Sequence, residues 1–191
     1  MVRLPATTAV VAIGLLVAPA SFAQTSHPNP SSRAAPAAAA KDTLNQEDKL
    51  FVKEAATGGT AEVQLSKIAQ KSDNPEVKSF ADRMIRDHTA ANQELTAIAG
   101  GLGIEAPKAL DSEHDRMREK LQTLHGKAFD EQYMRDMVEG HNKAVKLFQQ
   151  EERSGHNAEL KQFAQKTLPT IEEHQKMALE LSHRLAQTAA K

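Results

Sequence analysis

Hydrophobic residues recur every three or four positions from Thr43 onward, which is the period of an amphipathic α-helix. No strand-type alternation interrupts this pattern. Capping residues, prolines and glycines divide it into segments. The segments predict four long helices and one short helix, at about Asn45–Lys71, Asn74–Gly101, Ser112–Leu124, Asp130–Gly155 and Asn157–Leu185.

Local signals refine the predicted helices. Asp130 is predicted to be the N-cap of the fourth helix, with Phe129 and Met134 placed to form a hydrophobic staple across it. Pro169 is predicted to kink the last helix without ending it, because the apolar period continues beyond it. The Gly58-Gly59 pair indicates either a close backbone approach or a break in the first helix.

The order of the helices predicts the fold class. Short turns join the first helix to the second and the fourth to the fifth, and a longer stretch with the short helix connects the two pairs. We therefore predict an all-α four-helix bundle of two antiparallel hairpins. The segment NPEVKSFADRMI (74–85) matches NAELKQFAQKTL (157–168) in Asn, Lys, Phe and Ala at equal offsets, which favours a duplicated hairpin.

The N-terminal part is typical of an exported chain. Residues 1–23 contain Arg3, a short apolar run and the small-residue site Ser21-Phe22-Ala23, which predict a signal peptide cut after Ala23. A retained membrane anchor is the alternative, although the run is short for a bilayer. Residues 24–42, rich in Pro, Ala and Ser, predict a flexible linker before the bundle domain at 43–187. We expect a periplasmic location, with an extracellular or envelope-associated one as alternatives.

Each long helix places one residue of a metal-ligand type in its apolar stripe: Glu62, His88, His141 and His174. Glu62 and His88 lie 12 and 14 residues from Asn74, so they are nearly level in the first hairpin. His141 and His174 lie 16 and 17 residues from Asn157, which makes the second pair level as well but about one turn deeper. Helix tilt and stagger can absorb such a difference, so the four side chains are predicted to converge.

Four converging polar side chains in a core predict a metal site. A buried imidazole or carboxylate without a partner is costly, and a cation relieves that cost. Three imidazoles and one carboxylate suit Zn, Fe, Mn or Cu. Asp87 and Glu173, each directly before a site histidine, are candidate outer partners of the ligands.

Two other interpretations stay open for this core. Met84 and Met137 each precede a site histidine by four residues and would favour copper, although methionine at such positions is commonly core filler. The four polar side chains can also satisfy each other by hydrogen bonds, as a metal-free network in a structural or interaction module.

Several sequence blocks carry a resemblance to a known family. They are E-V-x-L-x-K-x-A (62–69), F-A-x-R-M-I-x-D-H-T (80–89), F-D-x-x-Y (129–133), H-x-x-A-V-x-L-F from His141 and L-P-x-I-x-x-H (168–174). Together they resemble the bacterial domain of unknown function numbered 4142, whose members are often labelled predicted outer-membrane proteins. The resemblance spans about Asp48–Ser182 and implies a ferritin-like bundle, but it implies no activity.

The sequence departs from the di-iron ferritin pattern, which needs Glu-x-x-His on two helices. Ile85, Val138 and Ile171 stand three residues before the site histidines, so no di-iron centre is expected.

Other function classes find little support in the sequence. The net charge of −1 and the lack of a basic stripe argue against nucleic-acid binding. No nucleophile–base–acid set, phosphate-binding glycine loop or haem-attachment motif indicates an enzyme. We expect no transmembrane segment in the mature chain, and no partner is indicated. The leading hypothesis is an exported bundle that binds one transition-metal ion, in metal handling or envelope stress.

Overall fold

The computed structural model describes residues 44–189, and its regular structure in that range is entirely helical. The helices are α1 (Gln46–Ala69), α2 (Pro75–Gly101), α3 (Ser112–Thr123), α4 (Gly126–Ser154) and α5 (Ala158–Ala189). The all-α prediction is confirmed, and Pro169 lies within α5 without ending it. The predicted signal peptide and linker lie outside the described residues.

Two hydrophobic clusters define the direction of each long helix. The first cluster, which we call the α4–α5 cluster, joins the starts of α1 and α5 to the ends of α2 and α4, and it includes Phe51, Phe148 and Phe163. The second, the α1–α2 cluster, joins the opposite helix ends and includes Leu65 and Tyr133. Helices α1 and α5 therefore run in one direction, and α2 and α4 run in the other.

The connection between the hairpins crosses the whole length of the bundle. Ala106, just after α2, belongs to the α4–α5 cluster, whereas Leu121 of α3 belongs to the α1–α2 cluster. Consequently the two hairpin turns lie at opposite ends of the molecule. Helix α1 packs on α2 and α4, and α5 packs on the same two helices from the other side.

The predicted start of the fourth helix is wrong. Helix α4 begins at Gly126, with His125 as an N-cap that makes no side-chain capping bond. Gly126 has a φ of 53°, which glycine adopts without steric cost and which turns the chain into the helix. Phe129 and Met134 are both inside the helix and buried, so they form no staple across a cap at Asp130.

Asp130 instead belongs to a pair of buried aspartates that bind the turn of the opposite hairpin. Its Oδ1 accepts a hydrogen bond of 2.6 Å from the Ser72 hydroxyl in the α1–α2 turn. Asp48, near the start of α1, accepts from the backbone N–H groups of His156 and Asn157 in the α4–α5 turn, at 2.9 and 3.1 Å. This equivalence supports the duplicated hairpin that the sequence repeat predicts.

The Gly58-Gly59 pair marks a close approach, because α1 continues through it without a break. A Cβ atom added to Gly59 would collide with the side-chain amide of Asn92 on α2. A Cβ atom added to Gly58 would meet no heavy atom within 4 Å among the described residues. Only Gly59 is therefore required by packing.

These neighbouring glycines give a matched test of the fold. Gly58→Ala should raise the free energy of unfolding by about 0.5–1 kcal/mol, because alanine has the higher helix propensity. Gly59→Ala should gain less or lose stability, because Asn92 has to move. Urea denaturation of both variants measures the difference, and an equal gain in both would contradict the contact.

A buried carboxyl, Glu151, lies near the α4–α5 turn. Its residue is 2% exposed, and its Oε1 has no hydrogen-bond partner among the described residues. Burial, together with the negative charge of Asp48, raises the pKa of Glu151 to about 7. A Cβ atom at Gly155 would overlap the Glu151 side chain, which explains the glycine at the end of α4.

The raised pKa of Glu151 predicts a pH dependence of stability. The folded state holds this proton up to about pH 7, whereas an ordinary glutamate releases it near 4.5. The contribution of Glu151 to stability should therefore decline as the pH rises between these values. In Glu151→Gln this decline should be absent, while exposed Glu180→Gln should keep it. Urea midpoints measured from pH 4 to 8 test this, and parallel curves for wild type and Glu151→Gln would refute it.

Candidate metal centre

The four polar residues of the apolar stripes meet in one layer between the two hydrophobic clusters. The ring centroids of His88, His141 and His174 are 5.2 to 5.5 Å apart. Each of these histidines and Glu62 is at most 7% exposed. The layer thus buries four polar groups where each helix pattern would otherwise place an apolar residue.

The apparent one-turn difference in depth disappears in the structure. The depth of each pair was counted from its own hairpin turn, and the two turns lie at opposite ends of the bundle. The pairs are therefore level when their two depths together equal the length of a helix. Glu62 and His88 are 12 and 14 residues from one end, and His141 and His174 are 16 and 17 from the other. The distances to the two ends together are close to the lengths of α2 and α4, which have 27 and 29 residues.

Glu62 joins two of the imidazoles from one side. Its Oε2 is 3.0 Å from His88 Nδ1, and its Oε1 is 3.4 Å from His141 Nδ1. His141 Nδ1 also lies 2.8 Å from the carbonyl oxygen of Met137, one turn earlier in α4. Carboxylate and carbonyl oxygens only accept hydrogen bonds, so Nδ1 is assigned the proton in both rings.

Asp87 holds the third imidazole. Its Oδ2 is 2.8 Å from His174 Nε2, so this nitrogen is the protonated one. Arg83 binds both Asp87, at 3.3 Å, and Glu173, at 2.7 Å. Asp87 therefore contacts the histidine cluster directly, whereas the side chain of Glu173 contacts Arg83.

In its neutral form, each ring then has one remaining nitrogen that carries a lone pair. These atoms, His88 Nε2, His141 Nε2 and His174 Nδ1, are buried and have no hydrogen-bond partner among the described residues. One nitrogen of each ring lies within 4.8 Å of those of the other two. Three buried acceptors without a donor form an unfavourable arrangement, which a cation relieves.

The electrostatics favour ionised carboxylates beside neutral His141 and His174. Burial opposes ionisation of Glu62, but the nearby His88 and His141 hold its pKa at about 2. Burial and the neighbouring His88 lower the pKa of His174 to about 4, and burial lowers that of His141. Glu62 raises the pKa of His88 despite burial. At neutral pH, His141 and His174 are therefore available as ligands.

Some contacts of this site were not visible in the sequence. The Met137 carbonyl and the Arg83 bridge depend on packing between helices, although Arg83 stands in one of the family-like blocks. Met84 and Met137 are at most 1% exposed and belong to the α1–α2 cluster. In the F-D-x-x-Y block, Phe129 stacks on Tyr133, whose hydroxyl is 2.8 Å from Ser66 Oγ.

The fold and site define a four-helix bundle with a polar layer that can accept a metal. The chain belongs to the DUF4142 family, a domain of unknown function, whose family model matches residues 33–181. This agrees with the resemblance of the sequence blocks. A search of curated proteins finds no match.

Three solved structures share the fold of this chain. A DUF305 fragment from Deinococcus radiodurans has a TM-score of 0.65 and 18% identity, covering 74% of this chain and 98% of its own. A predicted secreted DUF305 protein from Streptomyces coelicolor has a TM-score of 0.63 and 18% identity, covering 73% and 92%. CopM in its Cu(II)-bound form has a TM-score of 0.62 and 18% identity, covering 72% and 96%. At these identities the similarity shows the fold alone.

A helix that crosses a bilayer must be both long and apolar. Between residues 44 and 189, no helix combines the length and the apolar character needed to cross a bilayer.

The contacts of Glu62 predict a structural role before any metal is added. Glu62→Gln should lower the free energy of unfolding of metal-free protein by about 2 kcal/mol, because a buried charge-assisted hydrogen bond is lost. The amide NH2 would also face an imidazole N–H. Glu54→Gln, on the same helix but exposed, should change it by less than about 0.5 kcal/mol. Urea denaturation with a chelator present measures both, and a neutral Glu62→Gln would contradict the assigned contacts.

Proposed function

We propose that the protein binds one transition-metal ion in its bundle core and serves in metal handling after export. His88, His141 and His174 supply the ligands in this proposal. Glu62 and Asp87 orient the rings from outside the cluster, and each adds a negative charge that balances a divalent ion. The bound ion would accept the lone pairs of the three ring nitrogens.

The observation that carries this proposal is the set of three buried ring nitrogens that have no hydrogen-bond partner within residues 44–189. In each ring the opposite nitrogen is bound by an oxygen acceptor, which fixes the tautomer. Metal-binding histidines have this arrangement, because the outer hydrogen bond holds the ring in place and makes it a better ligand. Glu62 thereby changes from a predicted ligand to a proposed outer partner, since both of its oxygens face imidazole nitrogens.

The donor set favours copper or zinc within the wider group of Zn, Fe, Mn and Cu. Imidazole nitrogens suit both ions, and Cu²⁺ generally binds such sites more strongly than Zn²⁺. CopM, whose fold is similar, has been solved in a Cu(II)-bound form, which supports testing copper first. A sulfur ligand is not part of the proposal, because Met84 and Met137 pack in the α1–α2 cluster.

Export is the second part of the proposal. It rests on the signal-peptide pattern of residues 1–23 and on the similarity to a predicted secreted DUF305 protein. In the periplasm, the protein would encounter metal ions before they enter the cytoplasm. Sequencing the N-terminus of protein recovered from the periplasm should find Gln24 as the first residue. An intact N-terminus on cytoplasmic protein would refute export.

Metal analysis of purified protein tests the binding itself. Metal-free protein is incubated with Cu²⁺ or with Zn²⁺, freed of loose ions on a desalting column, and analysed by mass spectrometry for bound metal. We expect about one ion per chain in wild type, and a loss in His88→Ala and in His141→Ala. The exposed histidines provide controls, so His125→Ala and His183→Ala should bind as wild type does.

Equal metal content in the wild type and the two core variants would refute the proposed site. Circular dichroism of each variant establishes that it is folded. A bound ion should also raise the thermal midpoint of wild type, since a ligand that binds only the folded state stabilises it.

A metal-free polar network is the second candidate, and the direct contacts of Glu62 with His88 and His141 favour it. In that case a protonated His88, whose pKa Glu62 raises, carries the positive charge beside the carboxylate in place of a metal. The protein would then be a structural or interaction module. Its thermal midpoint would be unchanged by added metal or by chelator, which separates it from the first proposal.

A further inference from the structure

A cavity of about 270 Å³ lies beside the histidine layer, between α1, α2, α4 and α5 and partly under α3. Glu62 and His88 line it together with the buried apolar residues Leu95 and Phe163. Exposed Glu54 and Lys143 line it as well, so the cavity extends from the surface to the polar layer. It is therefore in a position to connect solvent with the site.

Small residues keep this cavity open. Gly58 and Gly140 both line it. A Cβ atom at Gly58 would enter open space, and one at Gly140 would come within 3.3 Å of Glu62 Oε1. A larger residue at Gly58 would therefore occupy cavity space, and one at Gly140 would meet the carboxylate that contacts two of the imidazoles.

A second buried acid points to the kind of ligand that the cavity admits. Asp136 lines the cavity, its residue is 7% exposed, and its Oδ2 has no hydrogen-bond partner among the described residues. Its other oxygen accepts from Gln132 Nε2 at 2.7 Å. Burial raises the pKa of Asp136, which means that its described neighbours do not offset the cost of burying its negative charge. A cation in the cavity would offset that cost.

The charged residues around the opening do not oppose a cation. Lys143 is the exposed base there, and it is paired with Glu113 at 3.1 Å and with Glu139 at 2.9 Å. His114 also lines the cavity, with Nδ1 bound to Asp111 at 2.7 Å. Among the described residues that line the cavity, Asp136 is therefore the buried carboxylate that keeps an oxygen without a partner.

We propose that this cavity is the route by which a metal cation reaches the histidine layer, with Asp136 as a carboxylate contact on the way. The inference rests on the proposed metal-binding function and adds its path of entry. The cation passes from the surface to Asp136 and then to His88, whose Nε2 lacks a partner. The wall of the cavity also contains apolar residues such as Leu95 and Phe163, which offer the ion no ligand.

Rates of metal uptake test this route separately from binding. Full-length metal-free protein is mixed with Co²⁺, a visible-absorbing substitute for Zn²⁺, in a stopped-flow instrument, and bound metal is counted at equilibrium. Gly58→Leu should slow uptake and release while leaving one ion bound. Gly100→Leu is the matched control, because Gly100 is also helical, its Cβ would meet nothing within 4 Å, and it does not line the cavity.

Asp136→Asn supplies an independent variant that does not fill the cavity. It should slow uptake by about tenfold, because a buried negative charge raises the association rate of a cation. If Gly58→Leu does not fold by circular dichroism, this variant decides. Uptake at the wild-type rate in a folded Gly58→Leu or in Asp136→Asn overturns the route, even when one ion is bound. If wild type binds no Co²⁺ at all, the proposed function fails and the route is overturned with it.

Discussion

The structure depends on a layer of four buried polar side chains between two apolar clusters. Each long helix contributes one of them, so the helices must keep a common register for the hydrogen bonds to form. Such a layer costs stability unless its members are satisfied, and Glu62, Asp87 and the Met137 carbonyl satisfy only one nitrogen of each ring. The remaining nitrogen of each ring is free to bind the proposed metal ion. Metal binding would explain why the bundle has histidines at positions where leucine would pack better.

The crossover between the hairpins determines where this layer lies. Because residues 102–125 cross the length of the bundle, the two hairpin turns are at opposite ends and two similar hairpins bring their polar residues to the middle. Asp48 and Asp130 strengthen the same arrangement, since each binds the turn of the other hairpin. Pairing of the hairpins and formation of the site are therefore consequences of one architecture.

Much of this could be predicted from the sequence, because the helical period and the caps at Asn74 and Asn157 are local signals. The identity of the four inward residues followed from the same period. The start of α4 could not be predicted, since Asp130 has the chemistry of an N-cap but binds Ser72 of the other hairpin. The role of Glu62 also required tertiary structure, because a carboxylate beside two imidazoles can be a ligand or a hydrogen-bond partner. Asp136 gave no signal, since its burial depends on how α3 and α4 lie against α1.

The number of imidazole ligands around a bound ion tests most directly whether the histidine layer is the metal site. X-ray absorption spectroscopy at the zinc edge, on protein loaded with one Zn²⁺, reports the donor atoms and the imidazole rings behind them. We expect three imidazole nitrogens at about 2.0–2.1 Å from the zinc ion, with any further ligand being oxygen. A spectrum with no imidazole or only one, in folded protein with one bound ion, would contradict this expectation, because the ion would then lie outside the histidine layer.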